Sequence, residues 1–458
     1  MAVITVGPVI GKVTDTTARI LIEVNEDAQI TSALTGPGAS QVSQTRSFRK
    51  NRPGVFSFGG LQPATQYAVG FTGAENNPAG RVKTLAANLS ELNVAAVSCN
   101  FTPMRGETDL WADMRDRYIN PGSIDVLLHI GDQIYADRAF YEGLQILNDG
   151  RPRGDKTLED DIAELFRALY RMTWRDPATR DVLAGVSNLM IWDDHEIRDD
   201  WGSNATDYDR SSDQFYVGTI ARRVYREYQR QLWDDLDTDQ DAASGHEDHL
   251  HVWGSIGILF VDQRGGRSFA RGRERPYLGT EQWERIAGAL AEGGALSSVR
   301  ALIVVTSVPL VFLSSSISAA GRINRDGLDD LRDHWAFGPN RKEQLEMIRA
   351  LRRWKKRGKG ERELLVLGGD VHVGGYTDIK HQEKVVFKQL ITSAITNQPP
   401  RWYEFLGLLT LLEVQEGLSE SYRFEHRDFT NDRNYGVILV RVPESGTPRI
   451  DGTLVRAV

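Results

Sequence analysis

The 458-residue sequence predicts a β-rich N-terminal domain followed by a larger α/β domain. Three observations point there. Short alternating strands are confined to the first 85 residues, strands interleave with amphipathic helices from residue 91 onward, and the apolar strands of that second part end in polar, chemically able residues. A chain this long exceeds one ordinary core, so two domains, 1–85 and 91–458, are expected, with the polar stretch 85–91 as linker.

In the first domain, residues 9–13 and 18–24 alternate apolar and polar side chains about the turn-prone Thr14-Asp15-Thr16-Thr17. The run Gly59-Gly60-Leu61-Gln62-Pro63-Ala64-Thr65-Gln66-Tyr67 leads into strand-like residues 68–71. A Tyr after a Leu-x-Pro corner, at the start of a late strand, is the tyrosine-corner device of immunoglobulin-like and fibronectin-like sandwiches. A generic β-domain with a buried Tyr accounts for the same residues. Beyond the linker, Leu110, Trp111, Met114 and Tyr118 share a helical face, as do Ile162, Leu165, Phe166, Leu169 and Tyr170, and again Leu345, Ile348 and Leu351. Residues 214–233 form a further helix. Strands alternating with helices make an α/β domain.

Composition sets exclusions. Hydrophobic residues make up 40% and charged residues 26%, the balance of a globular protein. Lys and Arg number 55 against 63 Asp and Glu, a net charge of −8. No nucleic-acid-binding face is expected, since that needs uncompensated Lys and Arg, and the basic run 349–362 reads as a solvated helix face and its loop. The single cysteine, Cys99, excludes an intrachain disulfide framework. No apolar run approaches the roughly 18 residues of a membrane span. The N-terminus, Met1-Ala-Val-Ile-Thr-Val-Gly-Pro, lacks the basic start and long apolar stretch of a secretory signal. A cytoplasmic location is therefore expected, or an exported one if a leader has been removed. No obligate protein partner is evident.

The informative regularity lies in the residues that end each apolar strand of the second domain. Residues 93–97 run into Ser98-Cys99-Asn100, and residues 126–130 into Gly131-Asp132-Gln133-Ile134-Tyr135. Residues 189–192 run into Asp193-Asp194-His195-Glu196, and residues 364–367 into Gly368-Gly369-Asp370-Val371-His372. Open α/β sheets bind ligands at the carboxyl ends of their strands, so four strands deliver metal-competent side chains to one edge. One Asp after a strand is ordinarily a turn or cap, and one Cys there is ordinarily packing. Four such endings together carry more weight, and two have Gly directly before the Asp, where it lets the backbone turn and approach an ion. Clustered carboxylates disfavour joint ionisation, a cost that a cation removes.

In this order, Gly131-Asp132-x-x-Tyr135, Asp193-Asp194-His195-Glu196 and Gly369-Asp370-x-His372 resemble the motifs of the calcineurin-like metallophosphoesterase superfamily, and most closely its alkaline phosphatase D (PhoD-like) branch. Cys99, standing where most of that superfamily has Asp-x-His, is similar to the same branch, as are the N-terminal domain and Phe260-Val-Asp262-Gln-Arg264. The resemblance covers nearly the whole chain. It implies a four-layer α/β/β/α metallophosphoesterase sandwich behind a fibronectin/immunoglobulin-like β-sandwich, and metal-dependent hydrolysis of phosphate esters. It implies that Asp132 bridges two metals, with Cys99, Tyr135 and His372 completing one site and Asp194 and Asp370 the other. Thiolate and phenolate donors suit a redox-capable transition metal, for which iron(III) is the choice. An all-carboxylate site suits calcium, or magnesium or manganese. Two cations about 3.5–4 Å apart clamp the attacking and leaving oxygens of an in-line displacement, the attacker being a hydroxide made available near neutral pH by their field.

His195, next to a ligand, is the candidate acid–base and charge-stabilising residue; the other reading makes it an orienter of Asp194. Asn100 and Arg264 are candidate phosphate contacts, since Arg forks match phosphate oxygens. Arg198, Asp199 and Asp200 either shape the rim or cap a turn. His246, His249 and His251 read as exposed polar residues of an acidic loop entering a hairpin rather than as ligands, His129 as packed beside the core, and His334 as a candidate for the histidine missing from the second site. The substrate is a phosphate ester, small or polymeric, with access set by loops 136–159 and 202–215. A phosphodiesterase acting on nucleotide, lipid or cell-wall diesters is the second reading. A non-catalytic module binding metal or phosphate is the third, and His195 argues against it, because a cation trap needs no acid–base group.

Overall fold

The computed structural model describes residues 1–38, 41–104, 108–235, 245–268, 275–313, 332–402, 405–406, 417–419 and 421–457. Seven strands open the chain: β1 (Ile4–Val13), β2 (Ala18–Val24), β3 (Ala28–Thr35), β4 (Val42–Phe48), β5 (Gly54–Phe58), β6 (Gln66–Thr72) and β7 (Gly80–Lys83). They form two antiparallel sheets, ordered β1-β2-β5 and β4-β3-β6-β7. Ile10, Ile20, Phe56, Phe71 and Val82 belong to the core that the two sheets share. The Tyr67 hydroxyl accepts the Gln62 N–H at 2.7 Å, tying the corner back on itself.

Burial alternates along β3 and β6, but β1 and β2 are buried on almost every residue. The reason is a second neighbour. Val6, Val9, Leu21 and Val55 turn into the apolar cluster of the following α/β part. Ser187 Oγ and Asn188 Nδ2 donate to the carbonyls of Gly11 and Ile10 at 2.9 Å each. The first strand is thus fixed to one of the strands that carry the site.

The α/β part contains β8 (Glu91–Val97), β9 (Val126–Ile130), β10 (Ser187–Ile191), β11 (His249–Trp253), β12 (Ile256–Val261), β13 (Ala301–Thr306), β14 (Glu363–Gly368), β15 (Gly374–His381), β16 (Lys384–Ile391), β17 (Gly417–Ser419), β18 (Tyr422–Thr430), β19 (Asn434–Arg441) and β20 (Arg449–Arg456). One sheet is ordered β10-β9-β8-β19-β20, with β8, β9 and β10 parallel. The other is ordered β11-β12-β13-β14-β16-β15-β18-β17, with β12, β13, β14 and β16 parallel. Among the described residues the helices are α1 (Leu110–Met114), α2 (Asp137–Ile146), α3 (Lys156–Trp174), α4 (Pro177–Gly185), α5 (Asp213–Tyr228), α6 (Thr280–Leu290) and α7 (Arg341–Arg357).

Side chains alternate across a strand, so each central strand serves two cores. Val94, Ala96, Leu128 and Ile130 of one sheet share an apolar cluster with Ile258, Ile303, Val305 and Leu367 of the other, so the sheets face one another. Leu302, Val304 and Val366 point the opposite way, onto Ile286 of α6 and Met347, Leu351 and Trp354 of α7. Ala95, Val97 and Leu127 meet Trp111 of α1 and Val182 of α4. Covered on both faces, these strands read as unbroken apolar runs.

Three expectations change here. The access loop expected at 136–159 is mostly helix, because Ala139, Phe140 and Gly143 of α2 pack inward, Gly143 against Val217 and Ile162. The helix expected over 214–233 ends at Tyr228 and passes into a 3-10 turn, Arg230–Leu232. His249 and His251 are buried rather than exposed: they alternate inward along β11, hydrogen-bond each other at 2.7 Å and lie against Trp233 and Phe260. Among the described residues, no helix is long and apolar enough to cross a membrane.

Candidate metal centre

The four strand endings converge, though not on one sheet. Cys99, Asp132 and Asp193-Asp194 follow β8, β9 and β10 of the five-stranded sheet, whereas Asp370 and His372 follow β14 of the eight-stranded one. Hydrogen bonds across the gap hold the loops together. Ser98 Oγ donates to the Thr392 carbonyl at 3.1 Å, and the Asn397 N–H donates to the Cys99 carbonyl at 3.1 Å. The glycines before the aspartates are required by space. A Cβ on Gly131, whose φ is +103°, would sit 2.6 Å from Asp193 Cβ, and one on Gly369 would sit 2.7 Å from Ser98 Oγ. Cys99, Asp132, Asp370 and His372 all have φ between 54° and 65°, a left-handed backbone that non-glycine residues rarely adopt. Strain of this kind persists only where surrounding structure fixes it, and it clusters at functional sites.

Two groups of ligand atoms result, each with all its atoms within 4.8 Å of one another: Cys99, Asp132 and His372, and Asp132, Asp193, Asp194 and Asp370. Asp132 belongs to both. Tyr135 joins the first group, its hydroxyl 3.5 Å from Asp132 Oδ2 and 3.3 Å from His372 Nε2. Cys99 Sγ lies 3.4 Å from Asp132 Oδ2 and 3.0 Å from Ser393 Oγ, and Ser393 Oγ also accepts the His372 N–H at 2.9 Å. Asn397 Nδ2 is 3.1 Å from His372 Nε2. A third group, Asp194, His195 and Asp199, is also within ligand reach.

The donor set fits cations. Asp132 Oδ1, Asp193 Oδ2 and Asp194 Oδ1 are buried without a hydrogen-bond partner among the described residues, although Arg264 Nη2 stands 3.4 Å from Asp194 Oδ1. Buried polar atoms are otherwise almost always paired. Burial, then Cys99 and Asp194, push the Asp132 carboxyl well above the usual range, and burial, Cys99 and Asp132 do the same to the Tyr135 phenol. Burial also opposes the Cys99 thiolate, but His372 and the hydroxyls of Ser393 and Ser98 outweigh it and bring the thiol down to about 6. Crowded anions that resist joint ionisation are what bound cations would relieve.

His195 lies over Tyr135, ring centroids 4.0 Å apart, with Nδ1 3.0 Å from Asp137 Oδ2 and Nε2 3.5 Å from Asp199 Oδ1. Asp200 N–H donates to Asp194 Oδ2 at 2.7 Å, so the Arg198–Asp200 segment positions that carboxylate, and Arg198 itself pairs with Asp207. Asn100 is buried, its Oδ1 accepting from Trp111 Nε1 and Thr396 Oγ1 while Nδ2 has no partner among the described residues. Arg264, expected to touch phosphate, is fully buried. Its guanidinium holds Asp193, Asp333 and the Trp201 carbonyl, which turns its fork toward buried carboxylates. His334 stacks on Phe312, with ring centroids 5.7 Å apart, and is in none of the ligand groups. His129 packs in the core, bonded to Gln133 and Asn188.

Several contributors escaped sequence reasoning. Glu196 is a buried clasp. It accepts the N–H groups of Asp132 at 3.1 Å and of Gln133 and Asp193 at 2.7 Å each, and the Gln229 side-chain amide at 2.9 Å. Asp137, Ser393 and Asn397 support His195, Cys99 and His372. For Ser393 a weaker signal existed, because the strand-like residues 384–391, broken by Lys388 and Gln389, run into Thr392-Ser393 as the other four strands run into their candidate ligands.

A family model for PhoD-like phosphatase matches residues 94–445. The chain is 23% identical to an uncharacterized protein of Saccharomyces cerevisiae, YGR266W, over 405 residues covering 67% of this chain and 57% of the yeast protein, so it spans little more than half of that relative. Among solved structures it is similar to that of PhoD, with a TM-score of 0.71 at 14% identity, covering 99% of this chain and 90% of the other. That likeness concerns the fold.

Proposed function

Because the chain belongs to the PhoD-like phosphatase family, we propose that it hydrolyses phosphate esters at the cluster centred on Asp132. The observation that carries this reading is the sharing of Asp132 between a thiolate–imidazole group, with the Tyr135 phenol beside it, and an all-carboxylate group. Cys99, Tyr135, His372 and Asp132 would hold iron(III), and Asp132, Asp194 and Asp370 calcium, magnesium or manganese, with Asp193 as an added donor. When bound, the cations supply positive charge to the phosphoryl oxygens and acidify water.

The protein's own part centres on His195. Burial disfavours its charged form, but in the metal-free chain Asp194, Asp137 and Asp199 outweigh burial and raise it to about 10. Asp137 and Asp199 face its two ring nitrogens and favour the protonated ring, with Nδ1–H engaged by Asp137. Its Nε2–H can then bond a phosphate oxygen or pass its proton to the leaving alkoxide. Asn100 Nδ2 is the candidate second donor to phosphate. Arg264 acts through Asp193 and Asp194, and Glu196 fixes the two loops that carry Asp132 and Asp193.

The same reading extends to architecture. The two facing sheets with helices on their outer sides form a four-layer α/β/β/α sandwich spanning 91–458, and residues 1–85 form a fibronectin-like domain, supported by the Tyr67 corner. Hydrolysis of an aryl phosphate and a bis-aryl phosphate, measured on metal-loaded protein, tests the function. Activity on at least one, lost in Asp132→Asn, is expected, and the ratio of the two rates reports mono- against diester preference. Inactivity on both with metals bound would contradict the proposal.

A further inference from the structure

A cavity of about 680 Å³ lies where the N-terminal sheets meet α3 and α5, and none of its lining residues belongs to the metal-ligand groups. Arg46, Arg49 and Arg52 line one side, from β4 and the turn after it; Lys156, Arg167 and Arg223 line the other. Its three carboxylates are already paired. Glu159 bonds Arg223 at 3.0 Å, Asp160 bonds Arg52 at 2.7 Å, and Glu227 takes Arg167 in a two-point contact at 2.6 and 2.7 Å.

Three cations remain over. Arg46 donates to the Val55 carbonyl, and Asp235, which also acts on it, is paired with Arg19. Arg49 and Lys156 are exposed, and neither side chain has a hydrogen-bond or ion-pair partner among the described residues. Beneath them Arg167, 1% exposed, keeps Nη1 buried with no hydrogen-bond partner. Buried donors are rarely left without an acceptor. Uncompensated charge around a concave, polar space raises the local concentration of anions. Guanidinium forks match phosphate oxygens two at a time, and Lys adds a point charge at the mouth.

We propose that this cavity binds a small molecule carrying two or more phosphate groups, independently of the metal centre. Its excess of three positive charges matches such a ligand in sign and magnitude. The unpaired Arg49 and Lys156 are the groups that an occupant's oxygens would meet, with the charge of the buried Arg167 beneath them.

The test uses methylenebisphosphonate, a probe that resists hydrolysis, titrated calorimetrically into the full chain carrying Asp132→Asn and treated with chelator, so that the metal centre does not compete. Saturable binding that weakens as salt is raised is expected. Adding Arg49→Glu and Lys156→Glu should weaken it at least tenfold, and the neutral pair Arg49→Gln and Lys156→Gln should fall between. The neutral pair also serves if charge reversal impairs folding. A titration without saturable heat, or affinity that survives both pairs of substitutions, overturns the proposal. So does citrate competing as well as the bisphosphonate, because the space would then be a general anion trap.

Discussion

Replacing Asp132 with Asn should stabilise the metal-free protein while destroying its response to metal. In the structure Asp132 shares a 4.8 Å cluster with Asp193, Asp194 and Asp370, and burial, then Cys99 and Asp194, push its carboxyl well above the ordinary range. Two unit charges 4.8 Å apart repel by about 3.5 kcal/mol at an effective dielectric of about 20. Arg264 already offsets Asp193 and, at 3.4 Å, part of Asp194. Freed of this repulsion, or of the proton uptake that avoids it, the Asn variant gains about 2–4 kcal/mol. Denaturant unfolding in chelator should therefore give a higher midpoint for Asp132→Asn than for the wild type. Adding iron and calcium should raise the wild-type midpoint and leave the variant unmoved. A variant less stable than wild type in chelator, or one that still gains stability from metal, would refute the claim that the cluster is built around cations.

The same geometry sets three further outcomes. His195→Ala should keep its metals and lose about 10²–10⁴-fold in kcat, checked by metal analysis beside steady-state kinetics; unchanged turnover would remove His195 from the chemistry. Glu196→Gln sets a side-chain amide against backbone donors, and should cost about 3 kcal/mol in unfolding free energy and weaken metal retention. His426 is held down at about 4 by burial, with Nε2–H on the Phe312 carbonyl at 2.9 Å and Nδ1 accepting from Thr377. A base depressed on folding contributes stability that is complete above the unfolded pKa near 6.5 and is lost as pH falls toward 4. Unfolding at pH 7 and pH 4.5 should thus differ less in His426→Gln than in wild type, by up to about 3 kcal/mol.

Much of the candidate ligand cluster is legible in the sequence because its residues follow apolar runs, and a strand covered on both faces cannot hide its carboxyl end. What the pattern does not carry is the partition between sheets. Nothing local in residues 434–441 tells that β19 inserts beside β8, where Arg441 pairs with Glu91 across 350 residues of chain. For the same reason Asp370 and His372 read as belonging to the same edge as the others, when they arrive from a facing sheet. Arg264 reads as a phosphate contact because a phosphate-binding fork and a buried carboxylate-binding fork have the same sequence signature. The inward histidines of β11 read as a polar loop because their aromatic neighbours, Trp233 and Phe260, are distant or on the partner strand. The Glu196 clasp is invisible because its four donors are mostly backbone N–H groups, which leave no mark in side-chain pattern.

The most direct test of the two-metal centre is element-resolved metal analysis of the purified protein, with its visible spectrum, for wild type, Cys99→Ser and Asp194→Asn. Two metals per chain are predicted in wild type, with an absorption band from thiolate and phenolate on iron. Cys99→Ser should lose the iron and the band, and Asp194→Asn only the second metal. A colourless wild type holding zinc alone would contradict the iron assignment. Wild type binding no metal, or variants with unaltered metal content, would contradict the centre itself.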